Sequence, residues 1–259
     1  MLHKENIGFE CLARYIRINN YLSIISFIFL FVFQCLVVES TAQNETQAQK
    51  YTFKKGDPNG IGKWYMGRQI AHVMGYQGMD WLERANREEE ENTTVLIENM
   101  DIKSTDVIAD IGAGSGYHVF KMAPFARDGL VYAVDIQEQM LAAITIRKKK
   151  YGVNNVKTVK GFSKNINLPE NTVDKILLVD VYHEFEFPIE MMASIKKALK
   201  PSGKVFLIEY RGEDDWVPIK KVHKMSEAQG VKEMNAAGFR LEQNIGNLPW
   251  QHCMVFVQK

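Results

Sequence analysis

The residues with the clearest chemical content form Val107-Ile108-Ala109-Asp110-Ile111-Gly112-Ala113-Gly114-Ser115-Gly116, an apolar run ending in an acid and three alternating glycines. Gly112 and Gly114 permit positive φ and let a ligand reach the backbone with no Cβ in the way. Asp110 puts a carboxylate beside that turn, which suits a cationic amino group better than a phosphate. A dinucleotide fingerprint needs its third glycine one residue later, where Tyr117 stands, so nicotinamide and flavin binding are disfavoured. Nineteen residues past Gly116, Asp135 closes Val131-Tyr132-Ala133-Val134, placed to accept both hydroxyl protons of a ribose diol. Farther on, Asp180-Val181-Tyr182-His183-Glu184-Phe185 follows another apolar run. His183 titrates near neutral pH and is the best candidate base. Glu184 is placed to orient it or act instead, with Tyr182 alongside. The alternative is that this segment caps the next helix and His183 only makes structural hydrogen bonds.

These groups need a parallel sheet to converge. From Thr93 onward, short apolar runs alternate with helical periods, the mark of βαβ units. The pattern predicts helix Val95–Met100, strand Val107–Ile111, helix Gly116–Ala126, strand Leu130–Asp135, helix Gln139–Tyr151 and strands Val156–Lys160 and Lys175–Val179. Helix Pro188–Leu199, strand Lys204–Glu209 and helix Ser226–Ala237 follow. Strands Arg240–Asn244 and Met254–Val257 are joined through Gly246-Asn247-Leu248-Pro249 without a helix, so they should pair antiparallel. Upstream, Trp64, Ile70, Val73 and Met74 within Gly60–Leu82 can share a helical face ended by Gly75 and Gly78, with a second helix over Met79–Asn86. Glu88 to Glu91 reads as a solvated helix face or loop.

Composition bounds the rest. With 259 residues, 46% hydrophobic and 24% charged, the chain is an ordinary globular one. Its 32 Lys and Arg against 31 Asp and Glu give no basic field for nucleic acid. Of three cysteines, Cys11 and Cys35 precede the folded body and Cys253 stands alone within it. Residues 1–42 read as a signal peptide or membrane anchor: Lys4, Arg14 and Arg17 precede the apolar run Tyr21 to Val38, and Ser40-Thr41-Ala42 puts small residues where a signal peptidase cuts. A leader implies a periplasmic body, whereas an anchor permits one facing the cytoplasm. Residues 43–94 read as a linker, over Gln43 to Lys55, and a helical cap, and residues 95–259 as the ligand-binding domain.

DIGAGSG, VYAVDI, LPENTVDKILLVD and LKPSGKVFLIE together resemble the successive signatures of class I S-adenosylmethionine-dependent methyltransferases over roughly residues 95 to 259. The segments Asp180 to Phe185 and Glu209 to Asp214 are similar to a bacterial group of methyltransferases predicted from sequence and lacking an assigned substrate. The resemblance implies a Rossmann-like α/β fold, a seven-stranded mostly parallel sheet with an antiparallel C-terminal hairpin, plus an N-terminal helical extension. It further implies S-adenosylmethionine as cofactor, with Asp110, Gly112, Ala113, Gly114 and Gly116 around its methionine part, Asp135 and Ile136 at the ribose, and Asp180 close by. Family members often follow the third strand with Gly-Asp-Ala, whose Asp holds the adenine amino group. Here Gly161-Phe162-Ser163 stands instead, so either Phe162 packing or a Ser163 hydrogen bond offsets a loss of about 1.5 to 3 kcal/mol, or cofactor affinity is weaker.

Methyl transfer to a hydroxyl or amine of a small-molecule acceptor then needs a base, the role given to His183, Glu184 and Tyr182. The rival reading is a non-catalytic envelope-associated binding module that keeps the fold. Among weaker signals, Tyr65, Arg68, His72 and Trp81 could line a lid over the acceptor. His223 with Lys220, Lys221 and Lys224 could contact an anionic acceptor but is read first as a solvated basic face, and His118 as a packing or capping residue. The histidines show no metal-ligand spacing, so no structural metal is expected.

Overall fold

Seven strands, the inner ones rich in Val, Ile and Leu, build the central sheet. These are β4 (Val107–Ile111), β5 (Leu130–Asp135), β6 (Val156–Lys160), β7 (Val173–Val179), β8 (Leu199–Tyr210), β9 (Phe239–Asn244) and β10 (Gln251–Gln258). A computed structural model describes residues 51–259, of which Phe53–Lys259 form one compact unit. The proposed leader or anchor, Cys11, Cys35 and the linker up to Lys50 lie outside the described residues. Among the described residues no helix is long and apolar enough to cross a membrane.

The seven strands run in the order β6-β5-β4-β7-β8-β10-β9. Strands β6 to β8 are parallel, and β10 lies antiparallel between β8 and β9. This is the mostly parallel α/β sheet with an antiparallel ending that the helix-free link at 246–249 predicts. Both faces are covered, as parallel sheets require. Ala109, Ile111 and Val134 pack on one side with Met192 and Ile195 of α6 (Pro188–Ala198) and Met234 of α7 (Glu227–Ala236). Ile108, Val131 and Ala133 face Leu96 of α3 (Thr93–Asn99), Val119 of α4 (Tyr117–Met122) and Ile144 of α5 (Glu138–Tyr151).

The extension before α3 differs from the sequence reading. No helix forms across Trp64 to Met74. Instead β2 (Gly60–Tyr65) and β3 (Arg68–Ala71) make a hairpin, with β1 (Tyr51–Phe53) on its far edge. The decisive residues are Met66 and Gly67, with φ of 50° and 97°. Two central residues at positive φ give the turn whose twist suits a two-residue hairpin, and no helix can pass through them. Within the stretch read as linker, Tyr51–Phe53 is strand β1. Helix begins only after Tyr76, as a single 3-10 turn at Tyr76–Gly78, then α1 (Met79–Leu82) and α2 (Arg87–Glu91). The predicted helix over Met79–Asn86 stops after its first turn.

This extension straps the carboxyl ends of the strands. Arg68 forms a double ion pair with Glu233 of α7 at 2.8 and 2.9 Å, and the Met74 amide donates to Glu184 at 3.1 Å. The Tyr76 amide donates to Gln137 Oε1 at 2.7 Å, while Gln137 Nε2 returns a hydrogen bond to the Met74 carbonyl at 3.0 Å. An open α/β sheet binds ligands at that end.

Candidate active site

Between strap and sheet lies a cavity of about 590 Å³. Strand tips floor it: Gly112 after β4, Asp135 closing β5, Gly161 after β6, Asp180 after β7 and Tyr210 closing β8. The glycine turn is as sequence reasoning required, with φ of 75°, 53° and 84° at Gly112, Gly114 and Gly116. The Gly112 and Ala113 amides both donate to the Val134 carbonyl, at 2.8 and 3.0 Å, which folds the turn over the end of β5. Side chains are barred there for a second reason. A Cβ on Gly112 would collide with Val181, and one on Gly114 with Leu82.

Asp135 faces this turn. Its Oδ2 accepts from the Gly114 amide at 2.9 Å and its Oδ1 from the Gln137 amide at 2.8 Å. Burial raises its pKa, and those amides with Lys160 offset only part of the effect. Asp110 lies one layer deeper, outside the cavity lining. Its Oδ2 is buried with no hydrogen-bond partner among the described residues. Burial pushes its pKa up to about 7, against the pull of the Arg87 guanidinium and with a further push from Asp135. Asp180 holds a left-handed backbone (φ 49°) and accepts from Gln251 Nε2 at 2.6 Å, while its Oδ1 has no partner among the described residues. Burial raises this pKa well above the carboxylate range, and Glu91 and Glu209 add to the shift.

Ile136, Phe162 and Ser163 line the cavity, as do Met140 and Ile166. Phe162 is 55% exposed, a ring at the rim available for stacking. Ala113 and Gly116 shape the turn without lining the cavity, and Tyr182 does not line it either. The Tyr182 ring is buried against Phe185, edge to face, with Arg68 over it.

His183 and Glu184 do reach the cavity. The partner holding His183 is Glu209 on β8: the ring Nδ1 lies 2.6 Å from Glu209 Oε2, and the His183 amide donates to Oε1 at 3.2 Å. Burial opposes the imidazolium, but the Glu209 carboxylate outweighs it and the net shift is upward. His183 Nε2 meets His223 Nδ1 at 3.1 Å. Burial, with the charge of His183, holds His223 down at about 4. Glu184 sits 4.0 Å from each imidazole, and burial raises its pKa to about 7.

Two parts of this wall were not anticipated. Glu91 is 1% exposed, not a solvated charge, because Arg84, Arg87 (2.8 Å) and the Tyr210 hydroxyl (2.8 Å) all bond to it, and Arg87, Glu91 and Tyr210 line the cavity. Glu88 likewise pairs with Thr93, Thr94 and Lys121. The second part is His223, which with Lys220 faces the cavity and not only solvent; no spacing links it to a histidine forty residues earlier. Of the lid candidates, Trp81 lines the cavity, whereas Tyr65 is buried, Arg68 is committed to Glu233, and exposed His72 stands outside the lining. His118 is buried beside Tyr117, as a packing residue would be.

Residues 102–252 match the family described as methyltransferase domain. The chain belongs to that family. This methyltransferase is 30% identical over 152 residues to the uncharacterized methyltransferase YdaC of Bacillus subtilis, covering 58% of this chain and 81% of that one. It is 20% identical over 166 residues to the uncharacterized methyltransferase YcgJ of the same organism, covering 63% and 65%. In fold it is similar to a SAM-dependent methyltransferase from Aquifex aeolicus, with a TM-score of 0.67, 23% identity and coverage of 71% of this chain and 98% of that one. It is similar in fold too to the methyltransferase CalH, solved with S-adenosylhomocysteine, with a TM-score of 0.51, 17% identity and coverage of 61% and 52%. Its cofactor is S-adenosylmethionine, and the residues present fit that molecule. A glycine turn without Cβ atoms and an Asp135 fixed by two amides line the cavity and suit the methionine and ribose parts, with the buried Asp110 carboxyl, whose Oδ2 has no partner among the described residues, one layer behind them.

Proposed function

We propose that the protein methylates a hydroxyl or amine of a small-molecule acceptor bound at the His183 end of the cavity. The observation that carries this reading is continuity: one cavity joins the glycine turn and Asp135 to the buried His183–Glu209 pair. When bound, S-adenosylmethionine supplies a methyl group already activated by its sulfonium. The chain therefore has to orient the acceptor and take up one proton. With His183 donating Nδ1–H to Glu209, its Nε2 carries the lone pair, which accepts from His223 Nδ1–H at 3.1 Å until His223 gives way to the acceptor. A proton arriving at Nε2 makes an imidazolium that Glu209 stabilises across 2.6 Å. The acceptor heteroatom gains the methyl group, and the thioether product is neutral, so charge and atoms balance. Glu184 is the second carboxylate at this end and supports the imidazolium through space. The binding-module alternative has no observation in its favour.

The test is a calorimetric titration of the full chain with S-adenosylmethionine, followed by a mass-spectrometric search of a cell extract for species gaining a methyl mass. His183→Ala should cut turnover about 100-fold or more with cofactor affinity nearly unchanged. A fully active variant would remove the base from this scheme.

Residues 21–38 and the small residues at 40–42 support export or anchorage of the body. An anchor with its body on the cytoplasmic side keeps the enzyme with its cofactor, which is made in the cytosol. Protease added to intact spheroplasts should spare such a body, and its digestion there would favour export.

A further inference from the structure

Two imidazoles and a carboxylate converge at the acceptor end of the cavity. His183 Nε2 and His223 Nδ1 are 3.1 Å apart on rings inclined at 89°, and Glu184 Oε1 lies 4.0 Å from each nitrogen. A separation of 4.0 Å is too long for a hydrogen bond. The carboxylate therefore faces both rings without bonding to either. Atoms sharing one transition-metal ion at about 2.0 to 2.2 Å stand roughly 3.0 to 3.5 Å from one another. The two nitrogens already have that spacing, and Glu184 needs to close by only about half an ångström.

Two of the three side chains are braced from outside the cluster. Glu209 takes the Nδ1 proton of His183, fixing the tautomer whose Nε2 carries the lone pair, as carboxylates behind metal-binding histidines do. The Met74 amide holds Glu184 Oε1 at 3.1 Å, and Lys220, which shares the cavity wall, is tied to Asn59 Oδ1 at 2.8 Å.

We propose that His183 Nε2, His223 Nδ1 and Glu184 Oε1 bind one divalent first-row transition cation, leaving a coordination position open to a hydroxyl oxygen of the methyl acceptor. Two imidazoles and one carboxylate favour zinc, iron, cobalt or manganese over magnesium or calcium, which prefer all-oxygen sites. Three protein ligands are the number a catalytic site keeps when it leaves room for substrate. This inference rests on the placement of the acceptor at that end and changes how its proton leaves. A coordinated hydroxyl ionises with loss of its proton to solvent, and His183 then acts as a ligand in place of a free base.

The full chain, stripped with a chelator, is titrated with Zn²⁺ against a chromophoric competitor and with Co²⁺ followed by its visible absorption. His223→Ala and Glu184→Gln are run in parallel, each with a thermal melt to establish folding, and all are titrated with S-adenosylmethionine. The expected result is one equivalent bound by the parent chain, with affinity at least tenfold weaker in each folded variant. The parent Co²⁺ spectrum should show an imidazole-bound ion, a reading independent of the variants. No binding, or equal binding in parent and variants, overturns the site. Cofactor binding without metal binding defeats this inference and leaves His183 as a metal-free base, whereas metal binding without cofactor binding upholds the site and defeats the methyl-transfer reading.

Discussion

At Asp110, a ligand-holding role and a purely structural one predict opposite outcomes for the same substitution. Asp110 is buried, has an oxygen without a partner, and has a pKa of about 7 against an ordinary value of 3.8. Because the folded value lies above the unfolded one, the stability this group contributes is fully present below 3.8 and is lost as pH rises towards 7. Across that window the loss is on the order of 4 kcal/mol, with Arg87 and Asp135 as the charged groups facing it. Such a residue is a poor choice for stability and a good one for holding an ammonium. Asp110→Asn should therefore raise the melting temperature of the ligand-free protein at pH 8, with the gain shrinking towards pH 5. The same change should weaken S-adenosylmethionine binding about tenfold or more, since a charge-assisted bond is lost. Paired thermal melts and calorimetry check both signs. A variant that loses stability at pH 8 and keeps its affinity would mark Asp110 as a structural acid.

The hairpin β2–β3 shows what an element needs beyond its own sequence. Arg68 and Glu233 tie it to α7 with both side chains buried. Removing one partner of a buried pair leaves a charge that cannot be solvated, a cost of about 3 to 5 kcal/mol, whereas replacing both with apolar groups costs little. Glu233→Gln should therefore lower stability by that amount and speed amide exchange across residues 60–71, and Arg68→Met combined with Glu233→Met should recover most of it. Denaturant melts and hydrogen exchange decide the point. A cost under about 1 kcal/mol for Glu233→Gln would mean that the strap is held by other contacts. The strands β4 and β5 were legible to the residue, because buried parallel strands are continuous apolar runs bounded by turns, and the edge strand β6 was legible from its alternating Val-Lys-Thr-Val-Lys. The hairpin was not, since Trp64, Ile70 and Met74 satisfy a helical period that the Met66-Gly67 turn overrides. Likewise the glycine turn and Asp135 were readable because their spacing is local to one βαβ unit. Glu209 and His223 were not, because only the folded sheet brings β8 and the 220s loop to His183.

At the scale of the whole molecule, the cavity is bounded chiefly by two parts of the chain, with Lys220 and His223 adding to its wall: the strap, which supplies Val73, Met74, Trp81, Leu82 and Arg87, and the sheet tips, which supply Gly112, Asp135 and Asp180. A ligand filling it adds contacts to both at once, so binding stabilises the arrangement as a unit. At a free concentration about 100 times Kd the linkage is worth about 2.7 kcal/mol. For a folded body of this size each kcal/mol moves the melting temperature by about 2 to 4 °C, so S-adenosylhomocysteine at that concentration should raise it by about 5 to 10 °C. Amides of residues 73–82 should exchange more slowly under the same conditions, since the Met74 and Tyr76 bonds to Glu184 and Gln137 close the cavity. Asp135→Ala removes the carboxylate that two backbone amides hold in place, and should abolish the shift in melting temperature while leaving the ligand-free protein folded. If the nucleoside raised the melting temperature equally in parent and Asp135→Ala, the binding energy would be coming from somewhere other than this junction. The strap would then be a cover over an unused crevice and not half of a binding site.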